Sequence, residues 1–246
     1  MASISETGHA RNVANLENLI SFCKGYGESY NPSKDSIKIN ALNVLLENSR
    51  TALGNVTEKL TIYNSAINNR FTVFKNLKPL CTKLISALMA TNASPKTIED
   101  AKGINRKIQG TRANKKNSTE VKTENTAPSE EKTVSTSQQS YDQLAEHFAK
   151  LIALLQNEPN YTPNETDLKI TTLNNLLSDI KNANSAVTKA MTDLSNSRII
   201  RNEIFYKEDT GICSVAQDVK NYIKSIYGAT SPQYKQVSKI KFSKPR

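Results

Sequence analysis

Apolar and stem-bearing residues recur with alternating steps of four and three along two stretches of the chain. The first runs through Leu42, Leu46, Ser49, Leu53, Val56, Leu60, Tyr63, Ile67, Arg70, Phe74 and Leu77. The second runs through Leu173, Leu177, Ile180, Asn184, Val187, Met191, Leu194, Arg198, Arg201 and Phe205. A strand, with its period of two, would scatter these residues over both faces, whereas a helix gathers them into one seam. The first seam predicts a helix from about residue 34 to about 78, roughly 65 Å at the rise of an α-helix. Asn31-Pro32 and Thr162-Pro163 mark the expected starts, the second with Glu165 at capping-box spacing.

The two seams are related. DSIKINALNVLL at 35–46 and TDLKITTLNNLL at 166–177 share six of twelve residues. At the same offset of 131, residues 30–74 match 161–205 at fourteen of forty-five positions, among them Tyr30/Tyr161, Pro32/Pro163, Arg70/Arg201 and Phe74/Phe205. With small gaps the match extends from Leu19-Ile20 and Leu151-Ile152 to Ser94-Pro95 and Ser231-Pro232, the second copy carrying about six extra residues. The unit is about a hundred residues long and occurs twice, too few times for a solenoid.

Each long helix needs a cover. Shorter amphipathic segments precede it, with Leu16, Leu19, Ile20 and Cys23 or Leu144, Phe148, Leu151, Ile152 and Leu155, and others follow around 80–89 and 212–226. Ser94-Pro95 and Ser231-Pro232 read as N-cap and first-turn proline of a last short helix. The expected fold is all-α: two tandem homologous antiparallel helical bundles, each built on one long heptad-patterned helix. Helical repeat 1 would span 1–113 and helical repeat 2, with a basic tail, 140–246. Residues 114–139, rich in Ser, Thr, Glu and Lys, read as a flexible polar linker. Only eight Gly and eight Pro in 246 residues, with no Trp, fit this class better than a sandwich or barrel.

Catalytic chemistry finds little support. His9 and His147 occupy unrelated repeat positions and read as surface or packing residues. No phosphate loop, nucleophile elbow or paired-histidine motif is present, so no catalytic residue, cofactor site or metal site is assigned. Cys23, Cys81 and Cys213 lack metal spacing, and their number fits reduced thiols. Cys81 and Cys213, nearly equivalent after the long helices, read as small buried hydrophobes. Without a signal-like start or a long apolar run, the expected location is cytoplasmic, with non-classical export left open.

Candidate partner contacts come from charge. Thirty-three basic residues against twenty-three acidic ones give a net charge of +10. Each repeat ends basic, with Lys102, Arg106, Lys107, Arg112, Lys115 and Lys116 in the first and Lys235, Lys239, Lys241, Lys244 and Arg246 in the second. These could engage nucleic acid or another anionic polymer nonspecifically. The alternatives are a solvated tail, or one that docks through Val237, Ile240 and Phe242. Arg70 and Arg201 are repeat-equivalent polar seam positions, expected to pair with acidic neighbours or to form a shared partner site. Asn43 and Asn174 are expected to hydrogen-bond a helix end or loop.

The segments HARNVANLENLISFCKGYG, INRKIQG, YTPNETDLKITTLNNLL and GATSPQYKQV resemble an uncharacterised family of duplicated all-helical proteins from Bacteroidota, of the flavobacterial type. The resemblance covers nearly the whole chain and implies the duplicated helical architecture, while bringing no activity, cofactor or catalytic residue with it. Taken together, these features point to a non-catalytic helical interaction or scaffold protein acting through a protein partner or self-association. Anionic-polymer binding is the alternative; a membrane-active helical protein is a weaker one, with no stable membrane insertion expected.

Overall fold

The computed structural model describes residues 7–110 and 139–244, and no strand occurs among them. The helices are α1 (Thr7–Gly25), α2 (Ile39–Phe74), α3 (Leu77–Met89), α4 (Pro95–Gln109), α5 (Tyr141–Gln156), α6 (Ile170–Tyr206), α7 (Ile212–Tyr227) and α8 (Pro232–Ser238). Short 3-10 turns at Asp35–Ile37 and Thr166–Leu168 lead into α2 and α6. Apart from Gln139, the residues expected to form the linker lie outside the described residues.

α2 is shorter than the expected 34–78, α6 spans its whole seam, and neither begins at its proline. Tyr30 and Tyr161, both buried, donate their hydroxyls to Ile37 O (2.7 Å) and Leu168 O (3.0 Å). Those bonds hold 30–37 and 161–168 as loops over the buried Ile37 and Leu168, so helical backbone cannot start at Pro32 or Pro163. Lys38 and Lys169 are still extended (ψ 149° and 140°), and their carbonyls accept the first helical bonds, from Leu42 N and Leu173 N. The capping box expected at Thr162 and Glu165 is therefore absent. At the other end α2 stops at Phe74, and Leu77 opens α3.

Every residue of the first seam is buried or half-buried. In the second, Met191 is 60% exposed and Ala190 takes the inward position. Ser94 and Ser231 cap α4 and α8 as their sequence implies, each side chain accepting the amide three residues on, and Ser140 does the same for α5.

The chain divides into two compact units, one formed by Met1–Asn64 with Lys189–Arg246 and the other by Ser65–Thr188. This partition differs from the expected one at 113 and 140. Each long helix contributes its first part to one unit and its last part to the other, because 36 or 37 residues make a helix longer than one set of short helices covers.

The discontinuous unit has a core of Leu16, Leu19 and Ile20 from α1, Leu42 and Leu46 from α2, Phe205 from α6, and Ile212, Val219 and Ile223 from α7. The core of the continuous unit joins Phe74, Leu84 and Leu88 to Ile108, Phe148, Leu151 and Leu173, with α4 packed against both α3 and α5. α3 and α7 bury the same register, Leu77, Cys81, Leu84 and Leu88 against Ile212, Ala216, Val219 and Ile223. Between Phe74/Phe205 and this register the offset between halves grows from 131 to 135. The longer turn at 207–211 absorbs that difference, with Asp209 at φ 64°.

Candidate functional site

Arg70 and Arg201 occupy comparable corners, one in each unit. In the continuous unit the Arg70 guanidinium lies 4.1 Å from the centroid of the Tyr141 ring, and Tyr141 meets Phe74 edge-on at 4.7 Å. In the discontinuous unit Phe205 meets His9 edge-on at 5.5 Å, and Arg201, 3% exposed, donates to Asn202 Oδ1 from Nη2 (2.9 Å) and Nε (3.2 Å). For Arg70 the expected carboxylate is replaced by an aromatic face, which suits a planar, weakly hydrated cation in the seam. Both corners are packed structure. Asn43 and Asn174 have no side-chain hydrogen bond among the described residues.

The two basic ends fall in different units. Lys102, Arg106 and Lys107 lie on α4, the latter two exposed; Lys235, Lys239, Lys241 and Lys244 lie on α8 and the segment after it. Arg112, Lys115, Lys116 and Arg246 lie outside the described residues. After α8 the chain does not run free. Buried Asn12 on α1 donates Nδ2 to Ser243 O (2.8 Å) and accepts Ser243 N on Oδ1 (2.9 Å), and Asn15 Nδ2 donates to Lys241 O (2.7 Å). Val237, Ile240 and Phe242 pack on the core, so the docking alternative holds for 237–244. The docked segment borders a half-open cavity of about 540 Å³ whose lining includes Lys207, Lys220, Lys241, Lys244 and Glu208. Lys220 donates to Ile240 O, and burial pushes its pKa below the ordinary lysine value.

A second concavity lies wholly within the continuous unit. It is a groove of about 710 Å³ between one face of α3 (Thr82, Lys83, Ser86, Ala87, Ala90) and the loop carrying Asn160, Tyr161, Thr162, Pro163, Glu165 and Asp167. Lys83 spans it to Asp167 at 3.8 Å. Burial, then the nearby Asp167 and Glu165 carboxylates, push the Tyr161 hydroxyl up to about 12, so at neutral pH it stays a protonated donor to Leu168 O.

The corresponding surface of the discontinuous unit is closed. In the shared register of α3 and α7, Tyr222 stands where Ala87 does. Its ring meets Tyr30 edge-on at 5.4 Å and its hydroxyl accepts the Asn31 amide at 3.1 Å. Lys34 and Asp218 complete the closure at 2.6 Å. At the matching positions of the groove stand Glu165 and Lys83, the same two charges with their signs exchanged. The amide matching Asn31 N, that of Thr162, has no hydrogen-bond partner among the described residues.

The remaining chemistry-bearing residues are dispersed. Cys81 is fully buried in α3 while Cys213, second residue of α7, is only half-buried, so the two are not equivalent in the helical register. His147 is buried, its pKa lowered by desolvation and then by Lys107 and Lys150. Among the described residues no group of three His, Cys, Asp or Glu side chains is placed to hold a metal ion. No helix among them is long and apolar enough to cross a membrane.

The sequence pairs Tyr30 with Tyr161 but not Tyr222 with Ala87, because the extra residues at 207–211 shift the offset between them. No family model, curated protein or solved structure matches the chain.

Proposed function

We propose that this chain is a non-catalytic helical interaction protein, descended from a duplicated helical unit, whose recognition element is the groove between α3 and the Tyr161 loop. The observation that supports it is the difference between equivalent surfaces. Tyr222 and the Lys34–Asp218 pair close one of them, while Ala87 leaves the other open beside a buried tyrosine and an amide with no partner among the described residues. Matched residues in matched geometry, above all Tyr30 to Ile37 O and Tyr161 to Leu168 O, favour the duplication. Once two copies exist, a pocket filled in one is free to specialise in the other.

The test is comparative affinity capture from the source lysate, with wild-type protein and an Ala87→Tyr variant as baits, each with and without nuclease. A protein retained by wild type and lost with the variant, irrespective of nuclease, supports the reading. Identical capture by both baits overturns it.

A second reading is favoured by the cavity under the docked C-terminal segment, where Lys207, Lys220, Lys241 and Lys244 gather against a single acid, Glu208. This arrangement suits a small anion or an anionic polymer end. Affinity for a phosphorylated polymer would fall steeply with salt and drop on replacing Lys241 and Lys244 by glutamine. Salt-independent or absent binding removes this reading.

A further inference from the structure

We infer that the groove of the continuous unit is a receptor for a tyrosine side chain presented by a partner polypeptide. The inference rests on the reading of that groove as the recognition element and adds the chemistry of what enters it.

The argument comes from the occupant that the chain itself supplies elsewhere. At the equivalent surface of the discontinuous unit the inserted group is a phenol, that of Tyr222. Its ring packs edge-on against Tyr30 and its oxygen accepts the Asn31 amide. Both receiving elements are kept in the groove. Tyr161 matches Tyr30, is equally buried and makes the same hydrogen bond to the carbonyl seven residues on. Thr162 offers the amide that matches Asn31 N and has no partner for it among the described residues. What the groove lacks is the ring, because α3 carries a methyl group at Ala87. An incoming phenol can repeat the edge-to-face contact and give its oxygen to an amide already held in place, two interactions that pre-organisation makes less costly.

The size of the groove argues for a ring borne on a larger body. About 710 Å³ is several times what a phenol ring occupies, while a drug-sized ligand or a short peptide fills a site of several hundred Å³. The rim is polar, with Lys83 and Asp167 loosely paired at 3.8 Å and both more than half exposed, and Glu165 beside them. Such a rim can exchange its weak pair for contacts with a peptide backbone.

The experiment titrates the full chain with three probes: a blocked Gly-Tyr-Gly peptide, its Gly-Phe-Gly counterpart, and p-cresol. Binding is followed by NMR at the Ala87 methyl and the Tyr161 ring. The inference expects saturable binding of the tyrosyl peptide, roughly three- to tenfold weaker binding of the phenylalanyl peptide for want of the oxygen, and loss of both in Ala87→Tyr. Tyr222→Ala opens the second surface and should raise the stoichiometry from about one peptide to about two; if that variant unfolds, Ala87→Tyr alone still decides. Binding of p-cresol without the peptide would overturn the polypeptide source. Equal binding of the two peptides would overturn the phenol. Absence of peptide binding, or peptide binding unaltered in Ala87→Tyr, overturns the inference as a whole. The wider groove reading fails separately, if capture from lysate is the same for wild type and Ala87→Tyr.

Discussion

Asn12 and Ser243, 231 positions apart, are joined by two hydrogen bonds, the side-chain amide of one reading the backbone of the other as an adjacent strand would (2.8 and 2.9 Å). Asn12 is fully buried, so each of its polar atoms needs a partner, and residue 243 supplies both. Replacing Asn12 by alanine should cost about 1–3 kcal/mol, the penalty for stranding such groups, measured as a drop in urea midpoint at unchanged slope. Asn12→Asp keeps the acceptor but sets a buried carboxylate oxygen against Ser243 O where the donor stood, and should cost more than alanine. Faster amide exchange at 240–244 in both variants is the local signature, and unchanged exchange there would show that Asn12 does not hold the segment.

The tyrosine clamps permit a matched pair of measurements. Tyr30→Phe and Tyr161→Phe each delete only the hydroxyl that satisfies Ile37 O or Leu168 O. Each should lower stability by about 1 kcal/mol, with the larger cost at Tyr30, whose hydroxyl also meets the Cys23 thiol. No cost at Tyr161 would mean that the open groove lets water replace the lost donor.

These clamps also mark where sequence reasoning reached its limit. Helical class, the inward seam and the serine caps are local or periodic properties, and Leu42, Phe74, Ser94 and Ser231 display them in the sequence. The starts of α2 and α6 depend instead on a tyrosine hydroxyl reaching seven residues along the chain, which overrides the proline signal at Pro32 and Pro163. The partition into units escaped for a similar reason. A heptad seam shows which face is buried and says nothing about which helices cover each part of it. The groove was hidden more deeply, since Ala87 is unremarkable until Tyr222 is seen in the same register, and the longer 207–211 turn obscures that register. Asn12 has no periodic signature at all.

The buried thiols give a pH dependence of definite sign. Burial pushes Cys23 up to about 11 and Cys81 up to about 12, against an ordinary value of 9.0. Above pH 9 the unfolded chain releases these protons while the native state keeps them. The unfolded state then binds fewer protons, and stability falls with rising pH until each native value is passed. Below pH 9 neither thiol contributes. Urea midpoints should be flat from pH 7 to 8.5 on this account and decline above 9. In Cys81→Ala the decline should be shallower by about 1.4 kcal/mol per pH unit. Alkylation of native protein at pH 8 should modify Cys213 first, because it is only half-buried and Lys244 partly offsets the desolvation that raises its pKa.

Two glycines in helical surroundings should respond in opposite directions to the same substitution. Gly211 caps α7 where α6 ends, and a β-carbon there would lie 2.7 Å from both Lys207 N and Lys207 O. Those atoms belong to the backbone that closes the turn through the Gly211 N to Lys207 O bond (2.9 Å), so relief requires moving one helix end against the other. Gly211→Ala should therefore destabilise by about 1–3 kcal/mol, the usual cost of forced overpacking. Gly54 lies inside α2, exposed, with nothing within 4 Å of the position a β-carbon would take. Gly54→Ala should stabilise by about 0.5–1 kcal/mol, because alanine removes backbone freedom that the unfolded chain would otherwise regain. The glycines are far apart in sequence and the clash at Gly211 is local, so the double variant should show the sum of the two effects. Thermal unfolding of the three proteins measures all of this. A destabilised Gly54→Ala would mean that the middle of α2 needs a flexible residue, and an unaffected Gly211→Ala that the 207–211 turn yields easily.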